Sequence, residues 1–194
     1  PKTEYNFFKF EYQFNGGGVG ISDINNDGLM DLFFSGNEVP SKLYLNKGNL
    51  KFEDITEKAG VALADRWANG VAIADINGDG YSDIYVSCGG MNKAEDRANV
   101  LLINNGDMSF SDKSIEFGLA DTGYTTQSAF LDYDLDGDLD LYVLNHNVEW
   151  IASAQLTKQT SKRPIHADKL YKNENGKFID VSWKANLNYE DIGG

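Results

Sequence analysis

Short apolar runs recur along the chain in units of about fifty residues, a length typical of repeat architectures. Each unit opens with an extended stretch of small residues and continues with an apolar run that is rich in β-branched and aromatic side chains. Two further runs follow and are separated by Gly- and Asn-containing turns, a pattern that predicts four short β-strands per unit. The predicted strands are 18–22, 32–34, 42–46 and 52–56; then 70–74, 84–86, 100–104 and 110–114; then 127–131, 141–144, 169–173 and 178–182.

Four antiparallel strands per unit are typical of a propeller blade. We therefore predict an all-β fold class: over residues 1–194, a β-propeller segment of about three four-stranded antiparallel blades. The blade units span 16–60, 67–118 and 124–186, while the aromatic-rich residues 1–15 are expected to form an N-terminal arm or an extra strand. Because rings usually need roughly four to eight blades, missing blades of a longer chain are expected to contact both ends of this segment.

A nine-residue acidic motif separates the first and second predicted strands of every unit. Its pattern, D-x-[DN]-x-D-G-x-x-D, occurs at 23–31 (loop 1), 75–83 (loop 2) and 132–140 (loop 3). Carboxylates at alternate positions repel one another unless a cation lies among them. Ca²⁺ accepts six to eight oxygen ligands in flexible geometry, which suits a short acidic turn better than Mg²⁺ does.

The predicted metal centres therefore hold about three Ca²⁺ ions, one in each loop. Side-chain oxygens of positions one, three and five, the carbonyl of position seven and the carboxylate of position nine are the predicted ligands. Glycine at position six permits the sharp turn. The ligand residues are Asp23, Asn25, Asp27, Leu29 and Asp31; Asp75, Asn77, Asp79, Tyr81 and Asp83; and Asp132, Asp134, Asp136, Asp138 and Asp140.

Other readings of the acidic motif explain less of it. An EF-hand loop would place a bidentate Glu at position twelve, where this chain has Phe34, Val86 and Val143. Simple hairpin turns account for Asn-Gly and Asp-Gly pairs, but they do not require the Asp at position nine. A parallel β-roll would have a much shorter period, and cystine-linked acidic repeats would need more than the single Cys88.

Composition limits the classes of partner and compartment. A net charge of −13 argues against a nucleic-acid partner, which would need a basic face. The sequence has no apolar run near the roughly twenty residues of a membrane span. Residues 1–22 lack a signal-peptide pattern, so we expect that a leader was removed or that this is part of a longer protein.

Calcium loops favour an extracytoplasmic location: cell surface, outer membrane-associated or secreted. Cys88 is expected to be a small buried hydrophobe.

The segment between the second and third strands grows from unit to unit and is a candidate recognition surface. In unit three it becomes an insertion, 145–168, which contains His146, Trp150, Lys158, Lys162, Arg163 and His166. Insertions into repeats often carry binding, although a local helical decoration or a spacer over a neighbouring blade is equally compatible with the sequence. The aromatic residues Trp67, Tyr124 and Trp150 suit sugar stacking or blade packing.

With these features the chain resembles the FG-GAP/VCBS repeat proteins, whose calcium-binding propeller repeats are of the integrin-alpha type. Among them it is most similar to Bacteroidetes proteins that carry an ASPIC/UnbV-like region. The resemblance is carried by Gly16-Gly17-Gly18-Val19, by 42–48 and by 52–60, together with the three loops. It implies a propeller of seven or eight blades whose loops bind calcium between the first and second strands. It carries over no catalytic site, because members of the family differ in function.

The sequence predicts a non-catalytic recognition or adhesion scaffold for a glycan or a protein. The two histidines, His146 and His166, both lie in the insertion, and no Ser or Cys nucleophile motif accompanies them. Most clustered carboxylates are assigned to ions, and an ion-bound carboxylate is a poor proton shuttle. The alternative hypothesis is an accessory β-propeller region of a polysaccharide-active enzyme.

Overall fold

A computed structural model describes residues 16–37, 39–90, 93–146 and 167–187. These residues form three four-stranded antiparallel sheets, and consecutive strands are neighbours within each sheet. The prediction of an all-β fold with three four-stranded blades is confirmed. Blade 1 contains β1 (Val19–Ser22), β2 (Asp31–Phe34), β3 (Lys42–Asn46) and β4 (Phe52–Asp54); blade 2 contains β5 (Ala68–Ala74), β6 (Asp83–Cys88), β7 (Val100–Asn104) and β8 (Phe110–Asp112); blade 3 contains β9 (Thr125–Leu131), β10 (Asp140–Asn145), β11 (Lys169–Asn173) and β12 (Phe178–Asp180).

Each acidic loop closes the first hairpin of its blade. The residue before the loop is paired with the Asp at position nine: Ser22 with Asp31, Ala74 with Asp83, and Leu131 with Asp140. The loop therefore connects two hydrogen-bonded strand ends and occupies the same place in every blade.

The hydrophobic core lies between the blades, and alternate residues of the central blade face opposite neighbours. In one cluster Ile84, Val86 and Leu102 pack with Phe33 and Leu43 of blade 1. In the other cluster Tyr85, Leu101 and Ile103 pack with Leu141 and Val143 of blade 3. Strand β6 is buried along its whole length, because each of its faces contacts another sheet.

The outer blades keep large apolar side chains exposed. Blade 1 exposes Val19, Ile21, Phe34 and Phe52, blade 3 exposes Leu144 and Ile179, and Trp183, which follows β12, is also exposed. Phe110 and Phe178, which occupy the same repeat position as Phe52, are buried against the preceding blade. Phe52 is thus exposed at a repeat position whose phenylalanine is buried in blades 2 and 3.

The predicted fourth strands are too long by two residues. They end at Asp54, Asp112 and Asp180 rather than at residues 56, 114 and 182. Asp54 Oδ1 accepts hydrogen bonds from the backbone N–H of Thr56 at 3.0 Å and from its hydroxyl at 2.5 Å. These bonds lie just before α1 (Thr56–Ala59), and the equivalent bonds of Asp112 lie just before α2 (Ser114–Phe117). An acidic residue two positions before Ser or Thr therefore ends the strand.

Small residues in the first strands are needed because these strands approach one another closely. A Cβ atom added to Gly18 would lie 2.7 Å from the carbonyl oxygen of Asn69 and 2.8 Å from the backbone nitrogen of Val71. The backbone N–H of Gly18 donates to that same carbonyl oxygen at 2.7 Å. The backbones of the chain at the start of β1 and at β5 are thus in direct contact.

The remaining sequence predictions concern Cys88, the N-terminal arm, the insertion and membrane spans. Cys88 is fully buried, as predicted, and burial raises the pKa of its thiol to about 12. The arm 1–15 lies outside the described residues, as do Trp150, Lys158, Lys162, Arg163 and His166 of the insertion. Within the described ranges, no helix has the length and apolar character needed to cross a bilayer.

Candidate metal centres

The carboxylate at position one organises each acidic loop. Asp23 accepts backbone N–H bonds from Asp27 at 3.0 Å and from Gly28 at 2.7 Å. Asp75 and Asp132 accept the equivalent bonds in loops 2 and 3, over 2.8–3.2 Å. The chain therefore curls around the first carboxylate in all three loops.

Glycine at position six has a conformational role. Gly28, Gly80 and Gly137 have φ angles of +86°, +87° and +95°, in the region that side-chain-bearing residues rarely adopt. No atom lies within 4 Å of a Cβ built at any of the three. Glycine is needed here for its backbone angle and not for lack of space.

Positions three and five lie beside the first carboxylate. In loop 1 the Asn25 amide donates to Asp27 Oδ2 at 3.1 Å, and in loop 2 Asn77 donates to Asp79 at 2.8 Å. Loop 3 has Asp134 at position three, and there one oxygen from each of Asp132, Asp134 and Asp136 lies within 4.8 Å of the others. The structure thus brings together the predicted side-chain ligands of positions one, three and five.

Position seven follows the glycine directly. The backbone N–H groups of Leu29, Tyr81 and Asp138 donate to the carboxylate at position five, over 2.9–3.1 Å. These bonds fix the peptide on the far side of the turn. The assignment of the position-seven carbonyls as ligands stays a prediction.

The Asp at position nine is buried and has a structural role that the sequence did not reveal. Asp83 accepts a backbone N–H bond from Ile76, at position two of its own loop, at 2.9 Å, and another from Asn104 at 2.8 Å. Asp31 and Asp140 make the same pair of bonds. Burial raises the pKa of Asp31, and it raises the pKa of Asp83 to about 6. Position nine therefore joins the loop to the end of the third strand, and its predicted metal contact stays a prediction.

Sequence reasoning also missed the asparagine that ends each third strand. Besides its backbone bond to position nine, Asn46 donates through its side-chain amide to the Met30 carbonyl at 2.9 Å, and Asn173 donates to Leu139 at 3.2 Å. The sequence does contain a signal for this role, because the last residue of the third strand is asparagine in every unit: Asn46, Asn104 and Asn173. Without the fold, however, nothing connected that position with the loop.

Among the described residues, the cationic side chain of Lys172 reaches loop 3. The Lys172 ammonium group contacts Asp134 and lies 3.0 Å from Asp136 Oδ2. These hydrogen bonds, first that of Asp134, raise the pKa of Lys172. The pKa of Asp136 is lowered by the backbone N–H of Asp138 and then by Lys172. The side-chain oxygens of carboxylates and amides in the three loops fit a hard divalent cation. In loop 3, Lys172 also places a positive group beside two of these carboxylates.

Two of the three aromatic residues considered for sugar stacking, Trp67 and Tyr124, make packing contacts, and the third, Trp150, lies outside the described residues. Trp67 is buried, so its ring faces are not available to a ligand. The half-buried ring of Tyr124 is covered by the guanidinium group of Arg97, which lies 4.2 Å from the ring centroid. Both residues thus take part in packing contacts, and sugar stacking by aromatic residues of this chain stays a prediction.

The sequence and the repeated loops define the class of this protein. The chain matches the FG-GAP-like repeat over residues 23–86 and 91–143. It therefore belongs to the FG-GAP-like repeat family, in agreement with the resemblance drawn from its motifs. The narrower likeness to Bacteroidetes proteins with an ASPIC/UnbV-like region stays a prediction.

Curated relatives include two kinds of animal protein. Cartilage acidic protein 1 of Xenopus tropicalis is 29% identical over 154 residues, which is 79% of this chain and 23% of that protein. The Mus musculus protein of the same name is also 29% identical, over 80% of this chain and 23% of its own length. Integrin alpha-8 of Gallus gallus is 35% identical over 45% of this chain and 10% of its own length. The chain thus spans less than a quarter of the length of these relatives.

Proposed function

We propose that this chain is a calcium-binding β-propeller module that serves as a non-catalytic, extracytoplasmic scaffold for recognition or adhesion. The observation that carries the proposal is the threefold repetition of an oxygen-lined acidic turn at one place in successive blades. In loop 3 the carboxylates of positions one, three and five converge within 4.8 Å.

Calcium would supply positive charge where the sequence concentrates negative charge. The residues that would hold it are the side chains of positions one, three, five and nine and the carbonyls of position seven. The carboxylate at position one already gathers the backbone N–H groups of the turn. Ion binding would therefore fix loops whose backbone is organised in advance, and through them the first two strands of each blade.

The relatives support an extracytoplasmic setting and a protein partner. Their names are those of an integrin alpha chain and of an acidic protein of cartilage. The burial of Trp67 and the stacked Arg97–Tyr124 pair leave the described residues less suited to glycan stacking. We therefore favour a protein ligand over a glycan.

The outer faces support a second kind of contact, with further blades of a longer chain. Phe34 and Phe52 on blade 1 and Leu144 on blade 3 remain exposed, although the matching faces of blade 2 are buried. Covering such faces would remove apolar area from water, at about 25 cal/mol per Å². Additional blades with the same repeat would complete these interfaces.

Calorimetric titration with CaCl₂ tests the calcium proposal. The unaltered chain is expected to bind about three ions, and Asp27→Ala, Asp79→Ala and Asp136→Ala should each remove one site while leaving the others. The matched control is Asp107→Ala, which removes an exposed carboxylate in the β7–β8 turn, outside the three loops. Absence of calcium binding, or equal loss of sites in the control, would overturn the proposal.

A further inference from the structure

Lys172 occupies a repeat position that is apolar in the other two blades. Its counterparts on β3 and β7 are Leu45 and Ile103, and both are buried between sheets. The side chain of Lys172 is 25% exposed, and its ammonium group turns toward loop 3. A residue type that fills the core elsewhere is here replaced by a cation.

Loop 3, which Lys172 contacts, carries more negative charge than loops 1 and 2. Loops 1 and 2 each contain three carboxylates in nine residues, whereas loop 3 contains five. One of the additional groups is Asp134, which stands where the other loops have Asn25 and Asn77. The Lys172 ammonium group contacts this carboxylate and also Asp136, at 3.0 Å. The basic and acidic substitutions thus meet in one ion pair.

We propose that Lys172 is a tethered counter-ion that competes with Ca²⁺ for Asp134 and Asp136, and so regulates the third metal centre alone. This inference rests on the proposed calcium function. In the metal-free protein the ammonium group offsets the repulsion within loop 3. When calcium binds, the same two carboxylates must be released from Lys172. In blades 1 and 2 the corresponding position holds an apolar side chain, so no cation stands at that position beside loops 1 and 2.

Two effects of opposite sign follow from replacing Lys172. Without calcium, Lys172→Leu removes the counter-ion and should lower the melting temperature. With calcium, it removes the competitor and should increase the affinity of loop 3. A lysine that only stabilised the fold would produce the first effect without the second.

Nuclear magnetic resonance can follow the three loops separately in the full 194-residue chain. The amide groups of Gly28, Gly80 and Gly137 donate to the position-one carboxylates of their own loops, so each reports on one centre. In a CaCl₂ titration, Lys172→Leu should lower the midpoint for Gly137 about tenfold, as expected for removal of one nearby unit charge at intermediate effective dielectric. The midpoints for Gly28 and Gly80 should not change.

Further variants separate competition from general charge effects. Lys177→Gln removes the same charge from the exposed β11–β12 turn and should leave all three midpoints in place. Lys172→Arg keeps the charge and should leave the Gly137 midpoint near that of the unaltered chain. Lys172→Gln, which keeps a polar side chain, should reproduce the increase in affinity if leucine disturbs folding.

The possible outcomes distinguish the role of Lys172 from the calcium-binding function on which it rests. If Gly28 and Gly80 respond to calcium but the Gly137 midpoint is the same with and without Lys172, the counter-ion role is overturned and the calcium function stands. An equal shift with Lys177→Gln would also overturn it. If none of the three glycine amides responds in any variant, the calcium function itself fails.

Discussion

The side-chain amide of Asn104 donates a hydrogen bond of 2.9 Å to the backbone carbonyl of Ile24, which lies eighty residues earlier in the chain. Ile24 is position two of loop 1, whereas Asn104 ends the third strand of blade 2. Asn26 of loop 1 donates to the Gly80 carbonyl of loop 2 at 3.0 Å, which adds a second link. The first two candidate metal centres are therefore connected through protein groups.

Asn104→Ala is expected to destabilise the fold by about 1–3 kcal/mol, because the buried Ile24 carbonyl loses its side-chain donor. Chemical denaturation measures this loss. The matched control is Asn46→Ala, since Asn46 occupies the same repeat position but its side-chain NH₂ donates to the Met30 carbonyl, in an exposed bond. A smaller loss is expected for Asn46→Ala, and equal losses would contradict a special role for the link between blades.

Asp83 should stabilise the fold whether or not calcium is present. Asp83→Ala leaves the buried N–H groups of Ile76 and Asn104 without acceptors, at about 1–3 kcal/mol for each. Asp83→Asn keeps one acceptor oxygen and should lose less. Denaturation in excess EDTA gives the decisive comparison, because the two bonds are formed within the protein. If the variants match the unaltered chain in EDTA, position nine acts only through a metal.

The strands could be predicted from the sequence because side chains buried between neighbouring sheets must be apolar, which gives each strand a short apolar run. The third strands were predicted to the residue, since Leu43, Leu101 and Leu170 fall between clear turns. The fourth strands could not be placed as well, because their ends depend on local side-chain hydrogen bonds such as that of Asp54, which compete with strand pairing. Local hydrogen bonds of this kind leave little trace in an apolar pattern.

The loops were also found from sequence, but their connections were not. Spacing alone identified positions one to nine, because the charge repeats within a few residues. The contacts of Asn104 with Ile24 and of Lys172 with Asp134 join residues that are far apart along the chain. Such contacts depend on how the blades pack, and a single sequence does not specify them.

Gly18→Ala tests the close approach of the first strands. The new methyl group would lie less than 3 Å from backbone atoms of Asn69 and Val71, so a loss of about 1–3 kcal/mol is expected from overpacking. Gly16→Ala is the matched control, because no atom lies within 4 Å of its added Cβ. Thermal unfolding of the two variants should differ, and equal melting temperatures would contradict the packing of β1 on β5.

Cys88 should be inert to thiol reagents in the folded protein. Burial raises the pKa of its thiol to about 12, so little thiolate forms near pH 8. A chromogenic disulfide reagent should label Cys88 promptly in the denatured chain. In the native protein, labelling should be limited by the rate of the unfolding that exposes Cys88. Rapid labelling of the native protein would place Cys88 outside the core. Its reaction rate therefore also reports unfolding of the interface between blades 1 and 2, where Cys88 packs.

The most direct test of the calcium account is a pair of thermal melts, one in excess CaCl₂ and one in excess EDTA. An ion that binds only the folded state adds about 2.7 kcal/mol per site at a hundred times its dissociation constant. The account predicts a clearly higher melting temperature in calcium, and a smaller difference when Asp27, Asp79 and Asp136 are all replaced by alanine. Coincident melts of the unaltered chain in the two solutions would contradict it.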